Sequence, residues 1–109
     1  MEDGGYFHYS IGMHRIQRKG GKLYVEGVSV ETLADRYGTP LYVYSAGTIL
    51  DHYRRLRGVL RALDPLVCYS VKANSNLAIL NLLARAGSGF DVVSGGELER
   101  VRKASETRG

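Results

Sequence analysis

Lys72 stands at the end of an apolar run, Leu66-Val67-Cys68-Tyr69-Ser70-Val71, and is followed by Ala73-Asn74. The run has the length and the β-branched and aromatic content of a buried strand. A lysine there lies at the edge of an apolar sheet rather than on a solvated helix face. Burial disfavours the ammonium form and favours the neutral, nucleophilic amine. A neutral amine attacks aldehydes and can hold a carbonyl compound as a Schiff base. The plainer alternative is a lysine that ends a strand with its charge in water.

Asp91 is the second residue with chemistry to offer. It lies inside a short apolar run, Phe90-Asp91-Val92-Val93. A carboxylate there is costly unless it is paired. Alternation along a strand puts Asp91 and Val93 on one face, opposite Phe90 and Val92. Adjacent parallel strands would bring Asp91 to the Lys72 end of the sheet. Two roles stay open for it: a group of the site, or a carboxylate paired with an arginine or a backbone donor.

Ser94 and Glu97 are three residues apart at a helix start, which is the spacing of a capping box. Gly95-Gly96 between them would let a backbone approach a ligand, or serve only the turn. Asn74 and Asn76 sit where the next helix begins. Helix capping is the default for both, and polar contact with a ligand is the alternative. The sequence has neither a P-loop nor a Gly-x-Gly-x-x-Gly motif.

These residues need a frame. Residues 1–28 read as an N-terminal β segment. Tyr6-Phe7-His8-Tyr9 is aromatic, and Gly20-Gly21 between two alternating stretches predicts a tight hairpin. Ser29 caps a short helix that Gly38 and Pro40 stop. Leu41-Tyr42-Val43-Tyr44 is strand-like. Ser45 caps a longer helix with Ile49, Tyr53, Leu56, Leu60 and Leu63 on its apolar face and Asp64-Pro65 at its end. The Lys72 strand follows. Then come a helix with Leu77, Leu80, Leu83 and Ala84 on one face, Gly87 as its stop, the Asp91 strand, and a helix from Ser94 through Lys103. Alternation of strand and helix predicts an α/β fold with parallel strands over residues 29–109.

Composition narrows the function classes. The chain has 109 residues and a net charge of +4. Basic residues are spread through 15–22, 54–61 and 100–108, without aromatic interleaving on one face, so the expectation is no nucleic-acid partner. No apolar stretch is long enough to span a bilayer, and the N-terminus lacks the basic and apolar regions of a signal peptide. One cysteine, Cys68, allows no internal disulfide and fits a reducing cytoplasm. Its place in the apolar run reads as a small buried hydrophobe. His8, His14 and His52 lack metal-ligand spacing, so no metal site is expected.

Three blocks together resemble the fold-type III decarboxylases dependent on pyridoxal phosphate. They are Gly38-Thr39-Pro40-Leu41-Tyr42-Val43-Tyr44, Tyr69-Ser70-Val71-Lys72-Ala73-Asn74-Ser75-Asn76-Leu77, and Gly89-Phe90-Asp91-Val92-Val93-Ser94-Gly95-Gly96-Glu97-Leu98. Their order and spacing agree with that family from about Gly20 to Val101. The resemblance implies that Lys72 is the residue that binds the cofactor aldehyde. It also implies that Asp91 lies near the cofactor, with Asn74, Ser94 and Glu97 as supporting residues. Ser70 departs from the alanine or proline usual there. Ser75-Asn76-Leu77-Ala78 after the lysine argues against the racemases that share the fold.

The implied fold is the beginning of a (β/α)8 barrel, with residues 1–28 packing on a C-terminal β-domain. Such a barrel alone takes about 250 residues. The implied glycine-rich phosphate loop, acidic partner of the pyridine nitrogen, ring-stacking histidine and C-terminal cysteine are not among these residues. The expectation is therefore an N-terminal piece of a longer, homodimeric enzyme. Its implied substrate is an amino acid, and the implied reaction is decarboxylation of meso-2,6-diaminopimelate to L-lysine. The alternatives are ornithine, arginine or carboxynorspermidine as substrate, or a non-catalytic remnant.

Overall fold

The computed structural model describes residues 15–106. The expected aromatic strand at Tyr6–Tyr9, and His8 and His14, lie outside the described residues. Two compact units divide between His52 and Tyr53.

The first unit begins with three antiparallel strands, β1 (Ile16–Lys19), β2 (Lys22–Val25) and β3 (Val28–Ser29), in that spatial order. Gly20 and Gly21 form the two-residue loop from β1 to β2, with φ of 55° and 77°. Positive φ at both central residues is what a type I′ hairpin demands and what glycine tolerates. Glu26 and Gly27 make the matching loop from β2 to β3, with φ of 50° and 84°.

Helix α1 (Val30–Tyr37) starts as its sequence dictates. Thr32 N–H donates to Ser29 Oγ at 3.3 Å, and Gly38, at φ 81°, returns its N–H to Ala34 O at 2.7 Å. Leu41–Tyr44 does not form the strand its composition predicts. No ladder pairs it among the described residues, and Tyr42 is 85% exposed. Extended residues become a strand only when a neighbour takes their backbone hydrogen bonds, which composition cannot show.

Helix α2 (Ala46–Val59) crosses the division between the units. Its first turn is capped by Ser45 Oγ, which accepts from Thr48 N–H at 3.0 Å. A charge cluster gathers there. Arg15 N–H donates to Thr48 Oγ1 at 2.9 Å, and its guanidinium reaches Asp51 Oδ2 at 3.1 Å. Glu26 Oε1 accepts from Gly47 N–H at 3.0 Å. The hairpin thus supplies a carboxylate to the positive end of a helix. The helix ends five residues before the expected Asp64 stop. Leu60 leaves the helical region and leads into a 3₁₀ turn, Arg61–Leu63, closed by Asp64 at φ 46°. Leu63 therefore falls outside the helix; it is exposed, as is Leu56 within it.

In the second unit, β4 (Cys68–Ser70) and β5 (Gly89–Asp91) are parallel, with Cys68 opposite Gly89, Tyr69 opposite Phe90 and Ser70 opposite Asp91. Helix α3 (Leu77–Arg85) connects them, and α4 (Gly95–Glu106) packs on α3. The core is Val71, Leu80 and Ala104, with Tyr69, Leu77, Phe90, Val92 and Val101 packed against it. Tyr69 and Phe90 meet edge to face, ring centroids 6.4 Å apart. Asn81 Nδ2 donates to Ala104 O at 2.8 Å and fixes the register of the two helices.

Cys68 is exposed, contrary to the buried hydrophobe expected. The apolar run is not a strand buried on both sides: only its odd positions, Tyr69 and Val71, face the core. Gly89 lies so close across the ladder that a Cβ there would meet Cys68 Sγ at 2.7 Å. Among the described residues no helix is long and apolar enough to cross a membrane.

Leu80 has no accessible surface. Leu80→Ala should cost about 2–5 kcal/mol through lost burial and a residual cavity, read by denaturant unfolding. On the surface of α4, Arg102 hydrogen-bonds Glu99 and pairs with Glu106. That hydrogen bond holds the Glu99 carboxyl below its ordinary value of 4.5. A depressed carboxylate contributes stability above its unfolded value and loses it as pH falls through the folded one. Stability should therefore decline below about pH 4.5 with a component that Arg102→Ala removes and salt weakens, measured by thermal melts across pH.

Candidate functional site around Lys72

Lys72 lies not in the strand but in a single 3₁₀ turn, Val71–Ala73, directly after β4. It is exposed, so the burial expected to neutralise its amine is not found. The reason is local. Val71 is fully buried and anchors the core, while the backbone turns at once and lifts its neighbour off the sheet. The turn is held at both ends. Val71 fixes the start, and Tyr69 O–H donates to Asn74 O at 2.9 Å across the turn. Sequence reading missed Tyr69 as a support. Its signal was alternation: Tyr69 and Val71 share a face, so the ring lies under the turn.

Asp91 is the last residue of β5 and the ladder partner of Ser70. Parallel pairing therefore brings Asp91 and the Lys72 turn to the same end of the sheet. Asp91 is exposed, and no pairing with an arginine or a backbone donor is found for its side chain among the described residues. The cost of a buried carboxylate does not arise, because Phe90 and Val92 take the core face and Asp91 takes the other.

The supporting residues act first as helix caps. Asn74 Oδ1 accepts from Asn76 N–H at 3.0 Å, and Asn76 Oδ1 accepts from Ala78 N–H at 2.9 Å. Ser94 Oγ accepts from Glu97 N–H at 3.1 Å, and Glu97 Oε2 accepts from Val93 N–H at 2.6 Å. Glu97 reaches one residue farther back than the capping-box spacing requires. Arg100 Nε donates to Ser75 O at 2.8 Å, so α4 also braces the segment after the lysine. Ser70 Oγ is sealed from solvent and has no hydrogen-bond partner. Among the described residues no group of His, Cys, Asp and Glu could hold a metal ion.

Tyr69→Phe keeps the ring and deletes the donor to Asn74 O. It should cost about 1 kcal/mol and speed amide exchange between Lys72 and Asn76, read by hydrogen exchange. Lys72→Ala removes an exposed side chain and should shift stability by no more than about 0.5 kcal/mol. A larger loss would mean that Lys72 is part of the packing.

Residues 46–107 match the family described as pyridoxal-dependent decarboxylase, pyridoxal binding domain. The diaminopimelate decarboxylase of Pseudomonas fluorescens is 53% identical over 92 residues, covering 84% of this chain and 22% of that protein. That of Vibrio cholerae is 50% identical over 99 residues, covering 91% and 22%. The crystal structure of diaminopimelate decarboxylase from M. jannaschii in complex with L-lysine superposes with a TM-score of 0.80 at 38% identity, over 85% of this chain and 23% of that one. AQ1208 from Aquifex aeolicus gives 0.78 at 44% identity, over 83% and 22%. The chain spans about a fifth of the length of the curated relatives it matches. Its α/β units are those of the N-terminal part of a barrel of the pyridoxal-binding type. With more than half its residues inside that domain, the chain belongs to the pyridoxal-dependent decarboxylase family.

Proposed function

We propose that these residues hold pyridoxal phosphate at Lys72 and serve, within the full-length enzyme, the decarboxylation of meso-2,6-diaminopimelate to L-lysine. The observation that carries the reading is the pinned turn. An exposed primary amine stands at the end of β4, at the same sheet end as Asp91. The residues fit such a group. Among the described residues the side chains of Lys72 and Asp91 have no hydrogen bond or ion pair, and Ser70 Oγ lacks a partner.

When bound, the pyridoxal ring supplies an electron sink for the bond that loses carbon dioxide. The chain's own part is positional. The Val71 anchor and the Tyr69–Asn74 hydrogen bond fix the backbone that carries Lys72, whose Nζ would hold the group. Asp91 places a negative charge at the same rim, where it favours a cationic group. Glu97, Ser94 and Asn74 keep the helix starts in place behind that rim.

Diaminopimelate as substrate is supported by the names of the relatives and by the L-lysine held in one of the solved structures. On this reading the full-length enzyme is a cytoplasmic homodimer, and residues 1–28 belong to a β segment that packs on a separate β-domain. Ornithine, arginine and carboxynorspermidine are the competing substrates.

The chain has four lysines, at positions 19, 22, 72 and 103. After incubation with pyridoxal phosphate and borohydride reduction, peptide mapping should find the pyridoxyl label concentrated on Lys72 and lost in Lys72→Ala. Equal labelling of all four would support the non-catalytic remnant instead. The polypeptide of residues 1–109 should release no carbon dioxide from meso-diaminopimelate, because the reading assigns the remaining cofactor contacts to the rest of the enzyme.

A further inference from the structure

We propose that Ser70 is a cofactor-binding residue, its hydroxyl bonding an oxygen of the pyridoxal group held at Lys72; this rests on the reading above. Alternation assigns Tyr69 and Val71 to the face that packs on the helices, with Phe90 and Val92 beside them. Ser70 and its ladder partner Asp91 take the opposite face. Ser70 is two residues from Lys72 along the chain and one ladder step from Asp91 across it. The three polar residues therefore stand at one end of the parallel sheet.

Ser70 also stands apart energetically. Five other serine hydroxyls have work inside the fold. Ser29, Ser45 and Ser94 accept from helix N–H groups, while Ser88 and Ser105 donate to the carbonyls of Val67 and Val101. Ser70 Oγ is sealed from water yet has no partner. A buried hydroxyl without a hydrogen bond is destabilising, and natural folds retain few of them. Alanine would fill the same position in the strand without that cost. Its ladder partner Asp91 carries a carboxylate, yet the two are not hydrogen-bonded, and Cys68 and Gly89 of the next pair on that face carry no strong donor or acceptor.

Rotation about one bond turns a serine hydroxyl toward a new partner, and a hydroxyl both donates and accepts. Pyridoxal phosphate is rich in acceptor oxygens, on its ring and on its phosphate. A group tethered at Lys72 is delivered to this end of the sheet, where an unused hydroxyl waits. The side chain is destabilising in the free chain and rewarded in the loaded one.

The test compares wild type, Ser70→Ala and Ser70→Thr as the 109-residue chain. Pyridoxal phosphate is titrated by absorbance, Lys72 labelling is mapped after borohydride, and the thermal midpoint is read without cofactor. Ser70→Ala should bind pyridoxal phosphate about fivefold to tenfold more weakly, the factor expected for one lost hydrogen bond. Without cofactor its midpoint should equal or exceed that of wild type. Ser70→Thr keeps the hydroxyl and should restore most of the binding. Unchanged affinity in Ser70→Ala overturns the assignment. So does a lowered midpoint, or failure to fold, because either would make the hydroxyl part of the scaffold. Absence of label at Lys72 in wild type would instead remove the lysine reading, and this assignment with it.

Discussion

Val71 and Lys72 are neighbours in sequence and opposites in environment: the first has no accessible surface, and the second is exposed. The second unit depends on that contrast. Val71 packs with Leu80 of α3 and Ala104 of α4, so one side chain joins the strand end to both helices. The apolar area it removes from water anchors a turn that a strand of three residues could not hold alone. Chemistry at residue 72 therefore rests on the packing at residue 71.

Local signals were legible in the sequence. Ser29, Ser45, Asn76 and Ser94 cap the helices they precede, because a cap is a contact across two or three residues. The glycine pair at 20–21 makes its hairpin for a similar reason. Parallel pairing of the Lys72 and Asp91 strands followed from the helix between them. Non-local facts were not legible. Leu41–Tyr44 has strand composition but no ladder partner among the described residues, and Cys68 lies in an apolar run but on the face away from the core. The expected burial of Lys72 failed because periodicity does not say where a strand turns into a 3₁₀ helix. The orphaned Ser70 hydroxyl could be read only from atomic positions.

Electrostatics is distributed unevenly between the two units. Arg15, Glu26 and Asp51 join residues far apart in sequence, and one of these contacts uses a backbone N–H at the start of α2, that of Gly47. The Arg15–Asp51 ion pair is exposed, and its worth lies in registration more than in energy. Glu99, Arg102 and Glu106 form a ladder within one helix and tie nothing distant together. The first cluster specifies architecture; the second only supports a helix already packed along its other face.

The caps have one more consequence. Asn74 and Asn76 start α3, Gly87 closes it, and Ser94 with Glu97 starts α4, all from within the segments they serve. The helix starts thus carry their own punctuation, while Asn81 and Arg100 tie the two helices to each other. A start written within its own segment needs no distant contact, so each helix can begin before the pair is packed.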